Sequence, residues 1–407
     1  MAAVDCWCIP DLWGPGERDC DALDRAYRQG VASSRAERTT RERIERICLS
    51  THDCLSTHDA TQLRIQILDE IRRVVDFDAH VWLLTDPGTA VGSAPLADVP
   101  CFPELPEAIR LKYLTGVNRW TTLHAAGSVV GTLRQATAGD PSQSLMWRGI
   151  LSRYGIGDVA SMVFANRYGI WGFLDLWRED AKPAYQSGEA AFLASLSASV
   201  TPSLQSCQAR TFTSPAVPAG RELGPVVFLL DDGLGVLSQT PASEDWLHIL
   251  LPPAADRRPV PASVYNVAAQ LLAIEQGIDD HPATARVHLS NGFWVTLRAA
   301  RLDRSGSAQA STVAVTIEET SPVDRLEIFT RAFGLSARET ELLGLLATGS
   351  DTRDLARRMF LTEHTIQDHL KSIFAKTSSH NRRTLLSRAL GVRGIPANPA
   401  FADPWMP

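Results

Sequence analysis

The sequence predicts a multidomain chain of α/β plus α architecture, with two strand-bearing modules followed by an all-α module of four short helices. Three observations predict it. The chain has 407 residues, enough for two to four domains at about 100–200 residues each. Over 59–207, and again over 224–321, apolar runs of strand length alternate with helical patterns. From 326 to 392 the apolar period is helical throughout and is punctuated by capping residues.

Composition narrows the class. The chain is 44% hydrophobic and 21% charged, which suits globular cores and excludes a wholly disordered chain, a collagen-like repeat and a small disulfide scaffold. Lys and Arg number 40 against 46 Asp and Glu, a net charge of −6. That excludes a uniformly basic nucleic-acid coat but leaves room for one basic domain. The seven cysteines have no regular spacing and read as reduced thiols of a cytoplasm. Residues 1–13 carry Asp5 and Asp11 and no basic side chain, unlike a signal peptide. No apolar run approaches the ~18–20 residues of a membrane span. A cytoplasmic protein without a membrane partner is the expectation.

The elements follow in order. Residues 1–58 form a variable N-terminal segment, whose stretch 17–47 reads as a solvated, charged helix. LSTHDC (49–54) is repeated as LSTHDA (55–60), a pair of helix-cap signals. Cys48, His52, Cys54 and His58 match no zinc spacing, so no metal site is expected. Leu63, Ile67, Leu68, Ile71, Val74 and Val75 give a helix over 61–75. Strands follow at 79–84, 158–165 and 169–177, the last two joined by a hairpin at 166–169. An amphipathic helix spans 188–204. Residues 208–223, rich in Pro, Ala and Thr, read as a linker. The second module has strands at 225–230, 285–289, 293–302 and 312–318 and a helix at 264–276. Residues 393–407, rich in Pro and Ala, read as a disordered tail.

The last module carries the functional signal. Ser336 and Glu339 form a capping box, and Leu342, Leu343, Leu345 and Leu346 supply a buried face ended by Gly349. Asp351 caps a second helix. Thr362 caps a third, whose apolar set is Ile366, Leu370, Ile373 and Phe374. Its opposite face presents His364, Gln367, Asp368, Lys371 and Ala375, and His369 is assigned to packing. A fourth helix covers 382–390. Two short helices joined by a tight turn, the second with a polar outer face, make a helix-turn-helix. Between 333 and 390, nine Lys and Arg stand against six Asp and Glu, a local excess of three positive charges, as phosphate contact requires.

The stretches LSARETELLGLLATG (335–349), DLARRMFLTEHTIQDHLKSIFAK (354–376) and NRRTLL (381–386) resemble the LuxR-type DNA-binding domain. The resemblance implies double-stranded DNA as a partner, with Gln367, Asp368 and Lys371 facing the major groove, where amide, carboxylate and ammonium groups can read base edges. Arg357, Arg358, Thr362, Thr365, Lys376 and Arg382 become phosphate or capping candidates. The resemblance also implies a homodimer paired through Leu385, Leu386, Ala389 and Leu390, residues that equally suit an intradomain core. The turn TSSH (377–380) departs from the family, which commonly places a glycine there.

Upstream, DPGT (86–89), VNRW (117–120), TAGDPS (137–142) and GIWGFLDLWR (169–178) resemble the GAF-like sensor region of actinobacterial LuxR-type regulators. Strand order and GFWVTL (292–297) resemble a PAS-type domain. A phosphate-accepting receiver is rejected because no Lys lies between Lys182 and Lys371. No Gly-Lys pair exists to form an ATPase phosphate loop. The resulting expectation is a transcriptional regulator that responds to an unidentified small-molecule effector or a partner, with no catalytic residues and no cofactor. Trp120, Trp147, Trp171 and Trp177 are ligand-pocket candidates, with core packing of large aromatics as the competing reading. The alternatives left open are a protein-interaction scaffold and a GAF-domain enzyme, either with a helix-turn-helix that does not read DNA.

Overall fold

The computed structural model describes residues 35–50, 60–212, 226–243, 262–290, 293–302 and 312–391. His52, Cys54 and His58, the N-terminal caps and the tail lie outside them. The first described element is a helix over 35–50 (α1). This helix is not simply solvated: Thr40, Ile44 and Cys48, one turn apart, are buried. Next come α2 (Ala60–Ile71), β1 (Ala79–Thr85) and β2 (Gly92–Asp98). Four short helices follow: α3 (Leu105–Leu114), α4 (Trp120–Ala125), α5 (Leu133–Ala136) and α6 (Leu145–Gly149). β3 (Val130–Thr132) lies between α4 and α5. β4 (Ile156–Asn166) and β5 (Gly169–Glu179) form a long hairpin. Gly169 is required there, because a Cβ would sit 2.1 Å from the Pro87 carbonyl oxygen.

These five strands form one antiparallel sheet in the order β2-β1-β5-β4-β3. Both faces are covered, so β4 and β5 are buried almost end to end and read as continuous apolar runs rather than alternating ones. On one face, Leu174 and Leu176 meet α1, α2, α7 (Ser187–Ser195) and α8 (Ser197–Arg210). On the other, Phe173 and Trp177 meet α3 to α6. The single helix expected over 188–204 is two helices that meet at Leu196. The second runs through Arg210, into the stretch read as linker. Phe212 ends it fully buried, stacked on Trp294 at 5.1 Å and edge-on to Phe329 at 5.4 Å. That burial outweighs the linker-like composition around it.

The second module contains β6 (Val226–Leu230), β7 (Val236–Gln239), α9 (Ala262–Glu275), β8 (Thr284–Ser290), β9 (Phe293–Leu302) and β10 (Thr312–Glu319). Its antiparallel sheet has the order β7-β6-β10-β9-β8. That is the first sheet's second–first–fifth–fourth–third order repeated. α9 explains why the two modules do not part. It covers its own sheet and also packs on α3 and β2 of the first, so one apolar core runs through both.

Two buried ion pairs cross the same boundary. Arg119 donates to Asp279 at 2.6 Å and to Gln270 at 2.7 Å. Arg286 grips Asp86 with Nε at 2.6 Å and Nη2 at 2.7 Å. Asp279, Asp280 and His281 lie close enough to share a cation, but the Asp279 carboxylate is engaged by Arg119 and by the His281 ring at 2.6 Å.

Five helices complete the described residues: α10 (Pro322–Ala332), α11 (Ala337–Ala347), α12 (Thr352–Met359), α13 (Glu363–Thr377) and α14 (Arg382–Leu390). Among the described residues, no helix is long and apolar enough to cross a membrane.

Candidate nucleic-acid interface

Each helix of this last unit begins where a side chain can satisfy its orphan N–H groups. Ser336 and Glu339 make the expected reciprocal box, with Ser336 N–H donating to Glu339 Oε2 at 2.6 Å. Asp351 accepts from Asp354 N–H at 2.8 Å, Thr362 from Thr365 N–H at 3.2 Å, and Asn381 from Thr384 N–H at 2.8 Å. α11 ends before Gly349, whose φ of +85° is the left-handed conformation glycine favours. The tight turn between α12 and α13 places Phe360 left-handed, at φ +57°.

α13 is split lengthwise. Ile366, Leu370, Ile373 and Thr377 are buried, and the helix packs against α11 and α12. His364, Gln367, Asp368, Lys371 and Ala375 are exposed, and His369 is half-buried at the border. The outward face therefore presents an amide, a carboxylate and an ammonium within little more than one turn. Asp368 sits between its neighbours, 3.3 Å from Lys371 Nζ and 3.6 Å from His364 Nε2. All three are well exposed, and such pairs hold at most about 1 kcal/mol. Nucleic acid can therefore exchange them at little cost.

The phosphate and capping candidates separate on inspection. Arg357 and Arg358 are exposed on α12, the former paired with Asp354 and the latter 3.2 Å from Ser350 Oγ. Thr362 caps α13, and its hydroxyl lies 2.9 Å from that of Thr365. Arg382 donates to Thr352 Oγ1 at 2.7 Å. Lys376 is committed inward: its ammonium lies 2.6 Å from the buried Glu339 carboxylate. Burial alone would push that carboxyl up. Donors from Lys376, Ser372 and Ser336 outweigh it and hold the group at about 2. Lys376 thus fastens α13 to α11.

The four apolar residues of α14 divide. Leu385 and Ala389 are fully buried in the unit's own core, and Leu386 and Leu390 are half-buried. Sequence reasoning passed over Arg388. It donates to the carbonyls of Thr377 at 3.1 Å and Ser378 at 3.0 Å, closing the C-terminus of α13. Its i+4-like spacing on α14 carries no hint of that reach across the turn. Ser378 itself takes the left-handed conformation, φ +49°, in the turn where the sequence lacks a glycine.

The unit is tied to the rest of the chain through α10. Tyr168 Oη donates to Gly334 O at 2.9 Å, Arg331 to Tyr168 O at 2.9 Å, and Gln205 to Arg331 O at 2.9 Å. Arg286 reaches Glu327 at 2.7 Å. Arg325 stacks 4.8 Å above the Phe212 ring and donates to Arg388 O at 3.2 Å.

Among the described residues, two cavities lie against the sheet of the first module. The larger, of about 190 Å³, sits between α3 and the sheet. The smaller, of about 30 Å³, shares Lys112, Met146, Asp175 and Trp177 with it. Trp120, Trp147 and Trp171 line neither. Trp120 is stacked on Phe173 at 4.2 Å and donates to Ala90 O. Trp147 donates to Ile156 O at 2.9 Å. Trp171 lies in the core beneath α8. Trp177 is the tryptophan that meets the cavities.

Comparison with known proteins agrees with the C-terminal geometry. Residues 334–389 match the family described as bacterial regulatory proteins, luxR family. A monoamine regulon transcriptional regulator of Klebsiella aerogenes is 39% identical over 54 residues, 13% of this chain and 24% of that protein. The match thus spans about a quarter of the curated relative. A solved structure of the Vibrio cholerae VqmA dimer in the absence of target DNA is 16% identical. It covers 42% of this chain and 83% of its own, with a TM-score of 0.17, too low a likeness to carry an argument. Upstream of Gly334 the described residues form a pair of antiparallel sheets with covering helices, and residues 334–389 are a LuxR-type helix-turn-helix domain.

Proposed function

We propose that this chain is a sequence-specific, DNA-binding transcriptional regulator of the cytoplasm, not an enzyme. One observation carries the reading. Gln367, Asp368 and Lys371 stand exposed on one face of α13 while the opposite face is buried, within a LuxR-type domain. Gln367 then reads adenine, Lys371 guanine, and Asp368 accepts from cytosine N4. Arg357, Arg358 and the α13 N-terminus at Thr362 and Thr365 meet phosphates and set the register. The chain acts as a homodimer on two half-sites about 34 Å apart, with Leu386 and Leu390, the half-buried pair of α14, at the contact.

The upstream modules are the input, the first GAF-like and the second PAS-like. Their shared strand order and the cavity in the first support this reading. A small molecule or partner that prefers one arrangement of these modules shifts the dimer geometry through α10. Fluorescence anisotropy of the full chain against genomic fragments tests the output. Binding that weakens steeply with salt supports the proposal, and absent or salt-insensitive binding contradicts it.

A further inference from the structure

The larger cavity is an apolar cleft at the edge of the first sheet. Its floor is the sheet face on which Val81 lies between Ala97 and Asp175, and Leu83 beside Phe173. Its roof is α3, and Asn266 of α9 closes one side. β2 is the edge strand, and its Ala97 is exposed, which gives a ligand a way in. The polar groups along these walls are spent on the protein or shut away. Lys112 of α3 and Asp175 of β5 are joined at 2.7 Å, a pair without net charge. Asn266 donates Nδ2 to Gly92 O at 2.9 Å, and Tyr113 Oη accepts from Gly92 N–H at 2.9 Å. The second oxygens of Asp175 and Asn266 are closed off from accessible space, so neither reaches an occupant. What the cleft offers is largely carbon, with the sulfur of Met146.

We propose that this cleft binds a neutral, hydrocarbon-like ring compound of about six to nine heavy atoms, held without a polar anchor. Size follows from volume. An apolar cavity of about 150 Å³ holds benzene, and this one measures about 190 Å³. The rings of Phe173 and Trp177 and the adaptable thioether of Met146 suit a flat ring. Low polarity follows from the walls. A hydroxyl or amide brought in from water would lose its hydration and find no dedicated partner. A hydrocarbon has no such loss and gains from leaving water. Neutrality follows from the ion pair: an ammonium would meet Lys112 as well as Asp175, and a carboxylate the reverse. Binding is non-covalent, because burial pushes the Cys101 thiol at the wall up to about 11, leaving it protonated at neutral pH. Because Asn266 belongs to α9, which fills the core of the second sheet, the ligand touches both modules at once. The inference rests on the reading of the upstream modules as a small-molecule input, and it names the class of effector.

Isothermal titration of the full-length protein with four probes of similar size tests it: indene, indole, benzoate and benzylamine. Indene and indole share a shape and differ by one N–H. Indene should bind about five-fold or more tighter than indole, whose N–H would be left unpaired, with benzoate and benzylamine weaker still. Ala97 is exposed on an edge strand, so Ala97→Phe should put a ring in the mouth of the cleft, keep the native circular dichroism and abolish indene binding. The wild-type series decides the ligand class even if that variant fails to fold. Indole as tight as indene, preference for either ion, or no binding of any probe overturns the assignment. So does unchanged indene binding by folded Ala97→Phe. DNA-binding anisotropy with and without indene separates the assignment from the input reading. If indene is preferred but DNA affinity does not change, the input reading falls and the ligand class stands. If indene shifts DNA affinity in Ala97→Phe as it does in wild type, the site falls and the input reading stands.

Discussion

Two ionic clusters in this molecule use the same chemistry for opposite ends. At the module junction, Arg286 is 4% exposed and Asp86 fully buried, joined by two short bonds, with Glu327 of α10 completing the set. On α13, Lys371, Asp368 and His364 are each more than half exposed and sit 3.3–3.6 Å apart. The Arg286–Asp86 pair of the first cluster is desolvated, and breaking it strands a buried charge. The second is solvated and easily exchanged. Charge held inside a fold locates its modules relative to one another, and charge left in water is available to a ligand.

The comparison can be broken from either side. The largest effect is expected at the junction. Arg286→Ala leaves the buried Asp86 carboxylate without a counter-ion, held only by the backbone N–H groups of Gly88, Thr89 and residue 286, and should cost about 3–5 kcal/mol of stability in urea unfolding. A loss below about 1 kcal/mol would mean that water reaches the site and the contrast is false. On α13, Lys371→Ala should leave unfolding within about 0.5 kcal/mol of wild type. It should cost about 1–3 kcal/mol of DNA affinity, concentrated at one base pair.

A third test lies between the two extremes, at Glu339. Its folded pKa, about 2, is below its ordinary 4.5. The stability it contributes is therefore fully present above about pH 4.5 and is lost as pH falls toward 2. Urea midpoints followed by helical circular dichroism should decline across that window, and Glu339→Gln should flatten the decline. An unchanged slope in the variant would remove Glu339 from the account.

The smallest effects belong to the left-handed turn residues. Ser378→Gly and Phe360→Gly each relieve a conformation costing about 1–2 kcal/mol while adding freedom to the unfolded chain. Each should raise stability by about 0.5–1 kcal/mol. Phe360 is almost wholly exposed, so little packing is lost with its ring.

How much of this was legible in the sequence follows from the range of each interaction. The caps at Ser336, Asp351 and Thr362 act over three residues, and local patterns expose them. The two faces of α13 are likewise a matter of period. The long-range partners were not legible. Phe212 looked like linker because its stacking partner, Trp294, lies 82 positions away. Lys376 looked free because Glu339 lies 37 positions before it. The cavity escaped because its polar groups come from β5, α3 and α9, which only the fold brings together. Of the four tryptophans read as pocket candidates, Trp177 meets the cavity, whereas Trp120, Trp147 and Trp171 each found packing or a hydrogen bond elsewhere. Size and ring type alone do not separate a wall from a core.

The most direct measurement is the DNA affinity of Lys371→Ala across a panel of single-base variants of a bound fragment, at two salt concentrations. The account predicts a loss of about 1–3 kcal/mol at one base position with nearly unchanged affinity ranking elsewhere. A loss spread evenly over all fragments, with a shallower salt slope, would make Lys371 a phosphate contact and contradict the assignment of this face of α13 to base reading.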